Sequence, residues 1–304
     1  MTSLRRLSVL DAPSNLGLRP PSEGAVPGCY KAPAALRGHS LLTRLGADDA
    51  GVVEPPPYRA EWRPGHGVRN GAAIASYSVA LGERTGALLD DGAWPLVLGG
   101  DCSILVGNAL ALAERGRFGL VFVDGHSDFR HEGNAEAVGA AAGEDLAIVT
   151  GRGGALSRLN ESEAYVREQD VAVLGIRPED EYVEEVRQLG IPVRTAAEIR
   201  GRGRDVASET IRHMSLSGVE GYWIHVDVDV LDPSIMPAVD SPDPGGIFWS
   251  DLVDLLRPLL ASSLATGMEV TVFDPDLDPD GSLAAALVEH VATAFEKSGN
   301  IGRG

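Results

Sequence analysis

Two short runs in this chain pass from apolar residues directly into evenly spaced acidic and histidine side chains. The first is Val123-Asp-Gly-His-Ser-Asp128, and the second is His225-Val-Asp-Val-Asp229. Because alternate residues of a strand point to the same side, Asp124, His126 and Asp128 share one side of their strand end, and Asp227 and Asp229 share one side of theirs. This set of ligands exceeds what one small cation needs. The pattern therefore predicts a binuclear metal site able to activate water.

Acidic residues at a strand end also occur without a metal, where they cap the next helix or keep a loop hydrated. One such run fits that interpretation easily. Here, however, there are two such runs. Each follows an apolar stretch that is predicted to form a strand, and these stretches begin at Gly119 and at Gly221. Unpaired carboxylates brought together cost several kcal/mol unless a cation compensates for their charge. We therefore favour the metal site.

Apolar β-branched runs alternate with amphipathic stretches along the whole chain, which is typical of a parallel sheet with helices on both faces. The predicted strands cover residues 5–11, 51–54, 94–99, 119–124, 170–176, 191–194, 222–228 and 268–273. The predicted helices cover residues 72–89, 104–113, 182–189, 204–215, 250–260 and 282–295. The sequence shows no linker or internal repeat, so residues 1–304 are expected to form a single α/β domain whose ligands bind at the carboxyl ends of the strands.

The composition excludes several classes of partner. The formal net charge of −18 argues against binding to nucleic acid or to anionic membranes. No apolar run reaches the roughly eighteen residues of a membrane span, and Asp11 and Pro13 interrupt the N-terminal apolar stretch that a signal peptide would need. The two cysteines, Cys29 and Cys102, provide no disulfide framework. We therefore expect a cytoplasmic protein that acts on a small molecule.

A third run completes the pattern: Trp94-Pro-Leu-Val-Leu leads into Gly99-Gly-Asp-Cys-Ser103, where the glycines allow another backbone to approach the strand end closely. With this run the chain resembles the arginase/agmatinase (ureohydrolase) family. That family carries G-G-D-H-S, D-A-H-x-D and D-x-D-x-x-D-P, each after a parallel strand. The last of these reads Asp227-Val-Asp-Val-Leu-Asp-Pro233 here, and the order and spacing match across most of the chain.

The resemblance implies a three-layer α/β/α sandwich around an eight-stranded parallel sheet. It implies two Mn²⁺ ions bridged by a hydroxide that attacks a guanidinium carbon and releases urea. It also implies a homo-oligomer, either a trimer or a hexamer. Carried over motif by motif, the implied metal ligands are Cys102, Asp124, His126, Asp128, Asp227 and Asp229.

Within that implied set, Asp124, Asp128 and Asp229 serve one or both ions and are the carboxylates expected to take part in catalysis. His126 and Asp227 complete the second ion's site, and Asp124 bridges the ions together with one carboxylate of the third motif. Two further carboxylates, Asp101 and Asp232, match family positions that orient a ligand or support a loop.

This chain departs from the family at the first metal position, where Cys102 replaces a histidine. A thiolate is softer than an imidazole and must lose a proton to bind, so it favours Zn²⁺ or Fe²⁺ over the Mn²⁺ expected otherwise. Two interpretations stay open. Cys102 is either a metal ligand or a small buried apolar residue. Some family members share this cysteine, so the replacement is compatible with activity.

Three further departures affect the substrate machinery. Ala142 occupies the position of the histidine that shuttles protons, and His131 and Glu144 are the nearby substitutes. Arg130 replaces the asparagine that binds the substrate's amino-acid end. Val272 replaces the glutamate that holds the guanidinium, which leaves Glu269 and Asp274 as alternative carboxylates. These replacements make L-arginine a doubtful substrate, since a lost charge-assisted hydrogen bond is worth about 1.5–3 kcal/mol.

Two functional hypotheses follow. The first is a metal-dependent hydrolase of a linear C–N bond in a guanidino or amidino compound. The second is a catalytically silent scaffold or binding protein that keeps the metal site. A related metal-dependent deacetylase is less favoured, because the tandem histidine pair typical of that family is absent from this sequence.

Overall fold

The computed structural model describes residues 5–296 together with residues 301 and 302, and one parallel sheet runs through it. Its strands are β1 (Arg5–Ala12), β2 (Asp48–Val52), β3 (Ala93–Gly99), β4 (Phe118–Val123), β5 (Val171–Ile176), β6 (Val193–Thr195), β7 (Gly221–Asp227), β8 (Ala265–Thr271) and the two-residue β9 (Ile301–Gly302). Eight of them lie in the order β2-β1-β3-β8-β7-β4-β5-β6, and β9 pairs with β1. The predicted eight-stranded parallel sheet is confirmed.

Helices cover both faces of this sheet. They are α1 (Ala32–Gly38), α2 (Leu41–Leu45), α3 (Gly71–Asp90), α4 (Leu105–Ala113), α5 (Asp145–Ala147), α6 (Val183–Gln188), α7 (Ala196–Ile199), α8 (Gly203–Ser217), α9 (Trp249–Ala261) and α10 (Ser282–Glu296). One apolar core joins the sheet to α3–α6, and a second joins it to α1, α2 and α7–α10. The two cores make the three-layer α/β/α sandwich. Among the described residues, no helix is long and apolar enough to cross a membrane.

The alternation of side chains along each strand explains why both faces are apolar. On β4, Val121 and Val123 join one core while Leu120 and Phe122 join the other. A strand buried on both faces therefore shows a continuous apolar run, which is the pattern that identified these strands. Both β8 and β2 begin three residues before their predicted starts, and the overlap with the prediction, relative to strand length, is smallest for β2. It is an edge strand, and only Ala50 among its residues is buried, so its sequence carries little apolar signal.

Strand order determines which motifs meet. The predicted motifs follow β3, β4 and β7, and these strands lie close together at the middle of the sheet, with β8 between β3 and β7. Because all of the strands are parallel, their carboxyl ends share one edge. The three polar runs, widely separated in sequence, therefore converge at that edge.

The end of β3 is held by an unusually close backbone contact. Gly100 donates its N–H to Ala12 O at 3.1 Å, and the next residue, Asp101, donates to Ser14 O at 3.0 Å. A Cβ atom on Gly100 would lie only 1.7 Å from Ser14 O. Only glycine permits this approach, which docks the loop after β1 beside the Gly99–Ser103 run.

We predict that Gly100→Ala destabilises the protein strongly, because the clash is with backbone rather than with a flexible side chain. The expected loss in free energy of unfolding is about 3 kcal/mol or more, measured by chemical denaturation. Gly38→Ala is the matched control, since no heavy atom lies within 4 Å of its Cβ position. Equal stability of the two variants would contradict the assigned contact.

Candidate metal centre

The predicted ligands from the three motifs lie together at the carboxyl edge of the sheet, at the base of a cavity of about 380 Å³. Asp128, Cys102, His126, Asp227 and Asp229 line this cavity. Asp124 is 1% exposed and lies beneath it. Each motif supplies these side chains from the end of its strand or from the turn that follows it, which is why they face the same space.

Asp124, His126 and Asp229 form one group of donor atoms within 4.8 Å of one another. His126 Nδ1 lies 2.9 Å from Asp229 Oδ2 and 3.8 Å from Asp124 Oδ1. The other ring nitrogen, Nε2, lies 3.0 Å from Asp243 Oδ2. The arrangement is that of a metal-binding histidine: one nitrogen faces carboxylates while a further carboxylate holds the opposite side of the ring.

Cys102 belongs to a second group of donor atoms, with His225 and Asp227, which also lie within 4.8 Å of one another. It is 1% exposed, and its Sγ lies 2.6 Å from Asp227 Oδ2 and 3.1 Å from Thr271 Oγ1. Its sulfur therefore points at a predicted metal ligand rather than into the apolar core alone. This geometry favours the interpretation of Cys102 as a ligand over that of a spectator.

The cluster concentrates negative charge where little water reaches it. Burial, and then the charge of Asp229, raise the pKa of Asp124 and raise that of Asp227 well above its ordinary value. Burial and the charge of Asp124 do the same to the pKa of Asp128. Burial, followed by the charge of Asp227, raises the pKa of the Cys102 thiol. These groups favour protons in the absence of another cation, and a divalent metal would displace those protons.

His126 responds in the opposite way because it is a base. Burial alone would lower its pKa, but the hydrogen bond and charge of Asp229, together with Asp124 and Asp243, raise the pKa of His126 to about 11. Without a metal the imidazole therefore retains a proton, which a metal ion would have to displace.

A buried arginine fixes the third motif. Arg177, 5% exposed, follows β5, and its Nη2 donates to the carbonyl oxygens of Asp229 at 2.8 Å and Asp243 at 2.8 Å. Gly125 N–H in turn donates to Asp229 Oδ1 at 3.1 Å. These contacts hold the Asp229 carboxylate against the end of β4, so the ligand position is set before any ion binds.

The two predicted supporting carboxylates both hold loops. Asp101 Oδ2 accepts from Ser14 Oγ at 2.7 Å and from Gly17 N at 3.1 Å, which secures the loop after β1. Asp232 Oδ2 accepts from Gly245 N at 3.0 Å. Their placement agrees with a role in supporting the loops around the site.

Two residues at the cavity have left-handed backbone conformations that are unusual outside glycine. Asp128 has φ of 44° and Val272 has φ of 41°. For a β-branched residue this conformation is a genuine outlier. Such strain persists only where surrounding contacts hold it, and it concentrates at functional sites. Val272 lines the cavity, so no carboxylate is present at the position where the family's glutamate was expected.

Of the other residues predicted to contact substrate, Arg130 alone lines the cavity, where its Nε donates to Tyr182 Oη at 3.3 Å. Glu269 requires a correction: it is 0% exposed and accepts from His225 and Asn108 below the site, because its position on β8 points it into the interior. Asp274 also points elsewhere. Its Oδ2 accepts from Gly28 N at 3.1 Å.

The two substitutes for the proton shuttle lie away from the metal ligands. His131 Nε2 pairs with Glu185 Oε1 at 2.9 Å. Glu144 Oε1 accepts from Gly139 N at 2.7 Å and braces its own loop. Both line a neighbouring pocket rather than the one above the cluster. The prediction that either residue acts at the reacting atoms is therefore corrected, while Ala142 does line the site cavity.

Sequence reasoning missed several residues of the site. Arg177 and Asp243 belong to no motif and reach the site through loops. Asp145 is 0% exposed and carries a buried Oδ2 with no hydrogen-bond partner among the described residues. His225 could have been found, because it lies two residues before Asp227 on the same strand and therefore shares its side.

Comparison with known proteins decides the family. A model described as the Arginase family matches residues 18–295. This chain belongs to the arginase family. The resemblance inferred from three motifs is confirmed, and with it the assignment to metal-dependent hydrolases.

Full-length arginase relatives support this membership. The arginase of Staphylococcus aureus (strain COL) is 27% identical over 306 residues, covering 97% of this chain and 98% of that protein. The arginase of Agrobacterium fabrum is 28% identical over 305 residues, covering 96% and 91%. The solved structure of Bacillus caldovelox arginase superposes with a TM-score of 0.86 at 26% identity, covering 96% and 98%.

We predict that the metal-free protein loses stability as pH rises above about 4, the ordinary carboxylate range. A carboxylate whose folded pKa is raised contributes stability below its unfolded pKa, and that contribution is lost as pH rises through the folded pKa. Burial and neighbouring carboxylates raise the pKa of Asp128, so Asp128→Asn should flatten the decline. Chemical denaturation of both chelator-treated proteins across a pH series measures the free energy of unfolding and its decline.

The control for this prediction is Asp49→Asn. Asp49 is exposed and its pKa is lowered by a hydrogen bond from the Gly51 N–H and by Arg37, so its substitution should not flatten the decline. A metal-free protein whose stability is constant or rising from pH 5 to about 8 would contradict the charge repulsion assigned to the cluster.

Proposed function

We propose that this protein is a two-metal hydrolase of a linear C–N bond in a guanidino or amidino compound other than L-arginine. The observation that carries the proposal is the cluster of buried carboxylates, whose Asp124 Oδ2 has no hydrogen-bond partner among the described residues. A buried carboxylate oxygen without a donor is costly unless a cation faces it. The donor set of oxygen, nitrogen and sulfur atoms fits divalent metals.

In this proposal Asp124, His126 and Asp229 hold one ion, while Cys102, Asp128 and Asp227 serve the other. Asp227 is thereby moved from the ion of His126, where the resemblance placed it, to that of Cys102, because its Oδ2 lies 2.6 Å from Cys102 Sγ. When bound, the two ions lower the pKa of water and polarise the carbon to be attacked. Asp243 fixes the ring of His126, and Arg177 fixes the Asp229 backbone. These two contacts fix the positions of His126 and Asp229 independently of any contact with the substrate. Mn²⁺ is the expected metal, and Cys102 makes Zn²⁺ or Fe²⁺ the alternatives.

The cavity wall supports a substrate other than L-arginine. Val272 offers no carboxylate to a guanidinium, and Ala142 cannot carry a proton. Losing a proton-transfer group alone costs about 10²–10⁴ in rate. Arg130 repels a substrate's ammonium end and attracts an anionic one, which favours a compound with a neutral or anionic end.

The same replacements support a second candidate, a catalytically silent member that retains its metals. It differs from the first only in lacking turnover. We also retain as proposals a single domain over residues 1–304, a cytoplasmic location and a homo-oligomer, either a trimer or a hexamer. No nucleic acid or membrane partner is proposed, since the net charge of −18 would repel both.

The test combines metal analysis with a substrate panel. Protein loaded with Mn²⁺ or Zn²⁺ is expected to release urea or ammonia from a guanidino or amidino acid and to turn over L-arginine at least about 10³-fold more slowly. Asp229→Ala should lose metal and activity together. Family-like turnover of L-arginine would contradict the assigned roles of Ala142, Arg130 and Val272. Metal binding without turnover of any compound would favour the silent member.

We further predict that Cys102→His increases the affinity for Mn²⁺. A neutral imidazole binds this ion without first losing a thiol proton, and burial raises the pKa of that thiol well above its ordinary value. Calorimetric titration of Mn²⁺ into both metal-free proteins measures the change. Cys29→Ser is the matched control, because Cys29 is equally buried but belongs to neither candidate ligand group. Equal affinities would remove Cys102 from the site.

A further inference from the structure

His225 lies beneath the carboxylate cluster and is not used in the function proposed above. It occupies β7 two residues before Asp227 and is 0% exposed. Its Nε2 has no hydrogen-bond partner among residues 5–296. The nearest carboxylate oxygens to that nitrogen are Asp124 Oδ2 at 3.7 Å and Asp145 Oδ2 at 4.0 Å. A fully buried ring nitrogen is thus directed at the cluster without a partner.

The opposite side of the ring is firmly held. His225 Nδ1 lies 2.6 Å from Glu269 Oε1, and the other oxygen of Glu269 accepts from the Asn108 amide. The ring also stacks on Phe122 with centroids 4.7 Å apart and planes at 11°. In a neutral imidazole, a carboxylate that accepts from Nδ1–H leaves the lone pair on Nε2, and this is how proteins orient histidines that bind metals.

His225 is also close to two ligands of the cluster. One of its ring nitrogens, Cys102 Sγ and a carboxylate oxygen of Asp227 lie within 4.8 Å of one another. Since Nδ1 is bonded to Glu269, Nε2 is the nitrogen free for this group. All three side chains are buried, so the group is a sulfur, nitrogen and oxygen donor set shielded from solvent.

Asp124 lies between two similarly held imidazoles. Its Oδ1 is 3.8 Å from His126 Nδ1, and its Oδ2 is 3.7 Å from His225 Nε2. His126 is held through its far nitrogen by Asp243, and His225 through its far nitrogen by Glu269. Asp124 therefore lies beside both rings. The two sides differ in one respect, because His126 Nδ1 already lies 2.9 Å from Asp229 Oδ2, whereas His225 Nε2 has no partner among the described residues.

We propose that His225 is a metal ligand, which supplies through Nε2 the imidazole that position 102 lacks. Cys102, His225 and Asp227 then hold one ion, and Asp124 faces both ions. The Cys102 thiol gives up its proton to solvent when the ion binds. Because the set contains a thiolate and an imidazole, it favours Zn²⁺ or Fe²⁺ over Mn²⁺ at this position. The inference rests on the proposed two-metal function.

The test uses Co²⁺ titration of the metal-free, full-length protein, because four-coordinate and thiolate-bound cobalt have distinct absorption. His225→Asn keeps an amide donor for Glu269 but has no atom at the Nε2 position. The matched control is His290→Asn. His290 similarly directs Nδ1 at a fixed oxygen, Ala286 O at 2.7 Å, and stacks on Trp249, but it lies on α10 outside the cluster.

We expect wild type and His290→Asn to bind two equivalents of Co²⁺, one of which gives a thiolate-to-cobalt band. His225→Asn should bind that equivalent at least about 100-fold more weakly. Mutation of a residue that only supports a ligand lowers metal affinity by up to about 100-fold, and loss of the ligand itself should lower it at least as much. The other equivalent should be unaffected. Unchanged affinity and spectrum in His225→Asn would overturn the inference, leaving His225 as a buried cation among Asp124, Asp145 and Glu269.

X-ray absorption on the zinc-loaded wild-type protein gives a readout that does not depend on any variant folding. Two bound ions with one imidazole each support the inference, whereas a single imidazole shared over two ions contradicts it. Failure of the two-metal site on which the inference rests has a separate signature, since wild type would then bind no divalent metal in either measurement.

Discussion

Repulsion among buried carboxylates is the constraint that organises this protein. Asp124, Asp128 and Asp227 lie where two parallel strands, β4 and β7, end. Burial together with mutual charge raises the pKa of each of them. A cluster of this kind is unfavourable in the folded chain unless positive charge joins it. The surrounding structure is arranged around that requirement. Arg177 ties down the backbone of one ligand loop, and glycine at position 100 lets another loop close over the edge.

Two histidines show how the side chains of the cluster are held in position. His126 and His225 are each held through one nitrogen by a carboxylate outside the cluster, Asp243 and Glu269 respectively. Each then directs its other nitrogen into the cluster: His126 Nδ1 lies 2.9 Å from Asp229 Oδ2, and His225 Nε2 lies 3.7 Å from Asp124 Oδ2. Because the rings are already fixed, neither imidazole has to reorient when a metal ion binds. Glu269 is therefore better understood as part of the support beneath the site than as part of the substrate wall.

The residues that line the cavity above the cluster depart from the family pattern more than the predicted metal ligands beneath them. Val272, Ala142 and Arg130 line the cavity, and these are the positions that the resemblance matches to a carboxylate, a proton carrier and an amide. The strained backbone of Val272 persists although its side chain offers no polar group to a substrate. A base that retains its ligands beneath an altered wall is consistent with similar chemistry on a different compound.

The sequence by itself determined the sheet, its parallel strands and the motifs at their ends, because apolar runs and period-two alternation are local properties of the chain. It also identified Cys102 and Val272 as departures, since each occupies a defined place in a motif. It could not determine which loops meet. His131 and Glu144 are near Ala142 in sequence yet bond elsewhere, and Arg177 and Asp243 reach the site only through the strand order. Non-local packing decided those contacts, and with them the burial that gives His225 an unpartnered nitrogen.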